Sequence, residues 1–158
     1  MTSATWQQFT EAEPVFAAAV WSRFAATKHH VLATLRRDGS PRVSGTEVRI
    51  VGPDLTLGSM LNALKAVDLR RDGRFALHSN PGDGSMSGGD AKLAGVAIEI
   101  GDPRLKAAAL DGRQADPGPF HLFRLDLTEA VLTSIAATND ALVIRSWRPG
   151  EPVREVRR

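Results

Sequence analysis

The chain has 158 residues, of which 42% are hydrophobic and 24% charged, a balance that suits one globular domain with its own core and excludes wholesale disorder. It contains no cysteine, which rules out disulfides, thiolate metal sites and iron–sulfur clusters. The net charge is only +2 although the pI is near 9.5, because without Tyr or Cys a small basic excess lifts the pI steeply; the charges are interleaved and aromatics are 6%, so no nucleic-acid partner is expected.

Along the chain, Thr10-Glu11-Ala12-Glu13 has capping-box spacing, followed by Pro14 in a first turn. Ala12, Phe16, Ala19, Val20 and Phe24 repeat at helical spacing, which predicts an amphipathic helix over 11–26. Beyond Lys28 the pattern turns to strands. His30 to Arg36 alternates, Asp38-Gly39 is a hairpin turn, Arg42 to Val51 runs back, Gly52-Pro53-Asp54 turns again, and Leu55 to Met60 is a third strand, together an antiparallel meander. Asn62 to Arg71 reads as a short helix capped by Asn62 and stopped by a left-handed Asp72-Gly73.

Arg74 to Ser79 is a strand, 81–90 a connecting loop, and Lys92 to Ile100 a further strand. Asp102-Pro103 opens a helix that Asp111-Gly112 ends. Phe120 to Ala136 is a long β stretch with a bend or bulge near Thr128-Glu129, Leu142 to Trp147 is the last strand, and 148–158 is a polar tail. Six or seven strands with short helices between them lack the long crossovers of a parallel sheet. The expected fold class is mainly β with short helices (α+β), closed as a small antiparallel barrel over one domain, 1–158. Val15 to Trp21 is too short to span a bilayer and Met1 to Phe9 has no secretory pattern, so no membrane association is expected and a cytoplasmic protein is.

The loop Pro81-Gly82-Asp83-Gly84-Ser85-Met86-Ser87-Gly88-Gly89-Asp90 imitates nucleotide motifs but fails them. Ser87 stands where a third glycine belongs, Gly89-Asp90-Ala91-Lys92 lacks the Gly-Lys-Ser/Thr of a P-loop, and the segment leads into a strand rather than a helix. A nicotinamide dinucleotide is therefore expected only as a transient donor. His29, His30, His78 and His121 form no metal signature, so no metal is expected.

The informative stretch runs from Leu57 to Leu77. A strand ends in Gly58-Ser59-Met60, a helix starts, and Lys65 sits in its first turn, where N–H groups and the helix dipole favour an anion. Taken alone, Lys65 also fits a solvated helix lysine. His30-Val31-Leu32-Ala33-Thr34-Leu35, Asp38-Gly39-Ser40-Pro41-Arg42-Val43-Ser44, then Lys65 with Asp68-Leu69-Arg70-Arg71-Asp72 and Phe75-Ala76-Leu77, form an ordered series. That series resembles the pyridoxamine 5′-phosphate oxidase-like (flavin/deazaflavin oxidoreductase) family over about residues 28–100, and Ser146-Trp147-Arg148-Pro149-Gly150 is similar to the C-terminus of many members.

The resemblance implies a split β-barrel of FMN-binding type, a homodimer with a cofactor in each of two clefts at the subunit interface. By position Arg42, Val43 and Ser44 line the cofactor, Ser59 and Met60 approach it, and Lys65 holds its phosphate; Trp147 either stacks near the ring or fills a barrel edge. The chain departs from the pattern at Asn62-Ala63-Leu64, where many members have another basic residue before the lysine, and at Asp68, which replaces an asparagine and which Arg42 is placed to offset. The function implied is an oxidoreductase moving a hydride between FMN and a small organic substrate, with no side-chain acid or base identified. Two alternatives share the fold: a deazaflavin-coenzyme-dependent reductase, with Arg36, Arg37 or the tail arginines serving a longer anionic tail, and a non-catalytic flavin- or haem-binding protein.

Overall fold

The computed structural model describes residues 2–110 and 118–158. Among them are four helices, α1 (Trp6–Ala12), α2 (Pro14–Ala25), α3 (Leu64–Arg71) and α4 (Pro103–Leu110). The nine strands are β1 (His30–Leu35), β2 (Pro41–Thr46), β3 (Val48–Val51), β4 (Asp54–Met60), β5 (Arg74–His78), β6 (Asp90–Glu99), β7 (Phe120–Ile135), β8 (Leu142–Trp147) and β9 (Arg154–Arg157). The fold is α+β and every strand pair is antiparallel.

The single helix expected over 11–26 is two. The capping box lies earlier, at Thr5 and Gln8: the Thr5 hydroxyl accepts from the Gln8 N–H and the Gln8 side chain accepts from the Thr5 N–H, at 3.2 and 2.8 Å. Thr10 is inside α1, its hydroxyl donating to the Trp6 carbonyl. Pro14 cannot continue α1, since it has no N–H to give, so it opens α2 instead.

The strand order is β2-β1-β5-β6-β7-β4-β3, with β8 and β9 added along β7. This corrects the expected meander. The run Arg42 to Val51 breaks at Glu47, and its two halves lie at opposite ends of the ordered sheet. The chain is continuous there but the ladder is not, which is the split in the barrel. The polar tail is also corrected, since Arg154–Arg157 pairs with β8 from Val143 to Ser146.

The expected bend in β7 is a bulge. Ala94 pairs with Glu129 and Gly95 with Leu127, leaving Thr128 out of register with its hydroxyl donating to the Ala94 carbonyl. A Cβ on Gly95 would stand 1.8 Å from the Asp126 carbonyl oxygen, so only glycine fits this crossing. Inside the barrel lie Leu32, Leu55, Leu57, Leu77, Leu93, Phe123, Leu125 and Leu127. Phe9 and Phe16 from the two N-terminal helices join that core, Phe9 lying on Trp147 with ring centroids 4.4 Å apart. Asp102 caps α4 as expected, accepting from the Arg104 N–H; the Asp111-Gly112 stop lies outside the described residues.

Candidate functional site

Helix α3 carries the candidate anion seat, and four strands fix it. Its first turn differs from expectation: Ala63 is the N-cap, while Asn62 sits one residue earlier with φ 60° in the left-handed region. Asparagine tolerates that conformation better than most residues. The Ala66 and Val67 N–H groups both reach the Ala63 carbonyl, closing the first turn. At the other end the helix stops at Asp72 in extended conformation, without a left-handed glycine. Gly73 has a different reason to be glycine, because a Cβ there would stand 2.5 Å from the Ala97 carbonyl oxygen.

Beside α3 opens a cleft of about 510 Å³, within the usual size for a small-molecule site. One wall is the end of β2 at Gly45, Thr46 and Glu47, which is where the barrel splits. The floor is Thr56, Gly58, Ser59 and Met60 from β4 with Phe120 and Leu122 from β7; Ala109 and Leu110 of α4 close the far side. Gly45 and Gly58 both have open space where a Cβ would stand, so these two stretches of wall are bare backbone that a flat ring can approach.

Lys65 projects into this cleft. Its Nζ donates to the Gly45 carbonyl at 2.8 Å, and burial pulls its pKa down, only partly opposed by the charge of Glu47. Among the described residues Lys65 makes no ion pair. A half-buried ammonium held by a neutral carbonyl keeps its charge for an incoming anion. The donor set therefore fits a phosphate-bearing planar cofactor: Lys65 and the first turn of α3 for the phosphate, bare glycine backbone and Phe120 beside the ring.

Of the residues anticipated from the sequence, Ser59, Met60 and Lys65 come together in the cleft. Arg42, Val43 and Ser44 do not line it. Arg42 donates from Nε to Asp68 Oδ2 at 2.7 Å, neutralising the charge that Asp68 adds, and Val43 is 70% exposed on the outer face of β2. Strand β2 serves the cleft three residues later, from Gly45 onward. Trp147 is 2% exposed under Phe9 and faces the core, which leaves its ring unavailable to a ligand in this cleft. The sequence reading missed Phe120, Leu122 and α4, because their neighbourhood depends on Met60 pairing with Phe120 across sixty residues of chain.

No protein-family model matches the chain, and no curated protein matches it. Solved structures do. The chain is similar to PhzG from Burkholderia lata 383, solved in complex with tetrahydrophenazine-1-carboxylic acid, with TM-score 0.67 and 16% identity over 93% of this chain and 92% of that one. It is also similar to a pyridoxamine 5′-phosphate oxidase-related, FMN-binding protein from Nostoc punctiforme PCC 73102, with TM-score 0.63 and 13% identity over 92% and 95% of the two chains. A third likeness is to HutZ, the haem storage protein from Vibrio cholerae, with TM-score 0.55 and 18% identity over 73% and 89%. At these identities the likeness is one of fold. No helix among the described residues is long and apolar enough to cross a membrane.

Proposed function

We propose that this chain, which has the split-barrel fold of the pyridoxamine 5′-phosphate oxidase-like proteins, binds FMN in the cleft beside α3 and works as an oxidoreductase on a small organic substrate. The observation that carries the reading is Lys65, whose Nζ is held by the Gly45 carbonyl and which among the described residues makes no ion pair, set in a cleft beside the bare backbone of Gly45 and Gly58. In this reading the Lys65 ammonium and the Leu64 and Lys65 N–H groups, which precede the two that bond the Ala63 carbonyl, hold the phosphate, and Ser59 brings the end of β4 close. Phe120 and Leu122 exclude water from one side of the ring. FMN, when bound, supplies the hydride chemistry; the protein's part is to orient the ring and shield it.

We assign to a second copy of the chain the role of partner on the outer sheet face. Val31, Val43, Val96 and Ile98 are exposed on the outer faces of β1, β2 and β6, and a depression of about 330 Å³ adjoins them, its apolar lining of Ala33, Ala76, Ala94 and Val131 flanked by His78, Lys92 and Glu129. Apolar sheet surface of this kind favours an isologous partner. Light scattering at micromolar concentration should give twice the chain mass, and a monomer would remove this part of the reading.

The test of the cofactor site is a titration of FMN and riboflavin into the parent and Lys65→Glu. The substitution should weaken FMN by about 1.5–3 kcal/mol, roughly ten- to hundred-fold, and leave riboflavin, which lacks the phosphate, nearly unaffected. Equal FMN affinity in the two proteins would end the reading. A second reading, haem storage without turnover, is favoured by His29, which lines the same cleft, and by the likeness to HutZ. A Soret band on haemin addition that disappears in His29→Ala would select it over FMN.

A further inference from the structure

Both ends of α3 are tied to the adjoining ends of β6 and β7 by one histidine–carboxylate pair. At the front, the Asn62 N–H donates to His121 Nε2 at 3.4 Å, holding the left-handed turn that leads into the first turn of the helix. His121 Nδ1 meets Glu99 Oε1 at 2.8 Å, and Glu99 Oε2 meets Arg70 Nε, in the last turn of α3, also at 2.8 Å. A backbone N–H can only donate, so Nε2 must accept and the ring proton must sit on Nδ1, where Glu99 receives it. The chain of bonds thus closes only around a neutral imidazole. His121 is 6% exposed, so water has little room to replace a lost partner.

Resting on the anion seat argued above, we propose that His121 is its positioning residue: it fixes the Met60–Ala63 turn through Nε2 while neutral, and releases that turn when protonated. Protonation places a hydrogen on Nε2 facing the Asn62 N–H, two donors with no acceptor between them. The turn must then move, carrying Met60, Ala63 and the N-terminus of α3 with it. The charged groups facing the ring are Glu99 from β6, which favours the imidazolium, and Arg70 from α3, which opposes it. Ser59 of β4 is the cross-strand neighbour of His121, and Phe123 of β7 lies with its ring centroid 6.2 Å away; neither carries charge. Gln in place of His121 offers an acceptor and a donor in one planar group without titrating.

The experiment measures FMN affinity at pH 7.5 and 5.5, the interval over which histidines change charge, in the parent, His121→Gln and His121→Leu. The FMN phosphate titrates near the same interval and weakens binding in every variant, so the informative quantity is the difference between proteins. The parent should lose about three- to tenfold more affinity than His121→Gln on acidification, the worth of one hydrogen bond. His121→Leu, without an acceptor, should already be weakened by a similar factor at pH 7.5 and lack the extra loss. A parallel arm follows the Asn62 amide resonance in the cofactor-free protein: it should move between the two pH values in the parent and stay still in His121→Gln. Identical pH responses in parent and His121→Gln, with Lys65→Glu still weakening FMN, would overturn the histidine clamp and leave the seat standing. If no variant binds FMN, the seat falls, and an Asn62 amide that ignores pH in the parent overturns the clamp as well.

Discussion

Helix α3 is held by two polar networks of opposite design. On the β1–β2 side, Asp68 accepts three hydrogen bonds: from Thr34 Oγ1 at 2.9 Å, Arg42 Nε at 2.7 Å and Arg71 Nη2 at 2.9 Å. On the β6–β7 side, Glu99 links His121 to Arg70 with its own side chain about 35% exposed. The Asp68 side chain is 3% exposed. Burial pushes both carboxyls up, and in both the hydrogen bonds and nearby cations outweigh it, so each lies below the usual carboxylate range. The difference is in the partners. Asp68 is surrounded by a hydroxyl and two guanidiniums that stay charged at any biological pH, whereas Glu99 works through an imidazole that does not. The first network is an anchor, and the second is an adjustable fastening that reaches the turn beside the proposed cofactor cleft.

The largest effect should come from breaking the anchor. Asp68→Ala leaves Arg42 and Arg71 without their carboxylate and Thr34 without an acceptor. Removing one member of a buried charged cluster costs about 3–5 kcal/mol, and the lower end applies here because both arginines retain some contact with water. Urea unfolding of the variant should show a loss of unfolding free energy of that size; a change below about 1 kcal/mol would mean the cluster is not the anchor.

Acid should separate the two networks next. The folded pKa of Asp68 is depressed, so its contribution is complete above the unfolded carboxylate value and is lost as pH falls through the folded one. Stability of the parent should therefore hold down to about pH 4 and decline below it, and Asp68→Asn should flatten that decline. The FMN affinity lost through His121 on acidification, by contrast, should go with the fold intact. Loss of affinity and loss of structure in one common pH window would contradict the division between anchor and fastening.

The anchor could be half foreseen from the sequence and the fastening could not. Asp68 and Arg42 were both conspicuous, one as an extra charge beside Lys65 and the other as its candidate compensator, and their pairing needs only that β1 and β2 form a hairpin next to the helix. Strands β1 and β6 were visible through alternation, and Lys65 through its place in a first turn. What alternation cannot carry is register between distant strands. Ser59 opposite His121, and Glu99 opposite Phe123, depend on β4, β6 and β7 meeting in the order the barrel imposes. For the same reason the sequence leaves Trp147 open between a ring partner for a cofactor and a filler of a barrel edge: nothing local announced that Phe9, from a helix capped by an overlooked Thr5-Gln8 box, would cover its face.

The smallest effect on stability, and the sharpest on the comparison, should come from Arg70→Ala. Arg70 is 55% exposed in its side chain, so its ion pair with Glu99 is worth no more than about 1 kcal/mol and the unfolding midpoint should scarcely move. Its charge nevertheless stands on the far side of Glu99 from His121, where it opposes a second positive charge on the imidazole and competes for the carboxylate. Without it, Glu99 serves His121 alone, and the protonated ring gains relative to the neutral one. The parent-specific loss of FMN affinity should then begin at higher pH in Arg70→Ala, while affinity well above that interval stays near the parent value because Nε2 still accepts from Asn62. Arg71→Ala, which removes a cation from the Asp68 cluster at the same end of the helix, should do the reverse: lower stability and leave the pH profile of binding where it was. A profile shifted equally by both substitutions would mean that the two networks act as one, and that α3 responds to total charge rather than to the histidine.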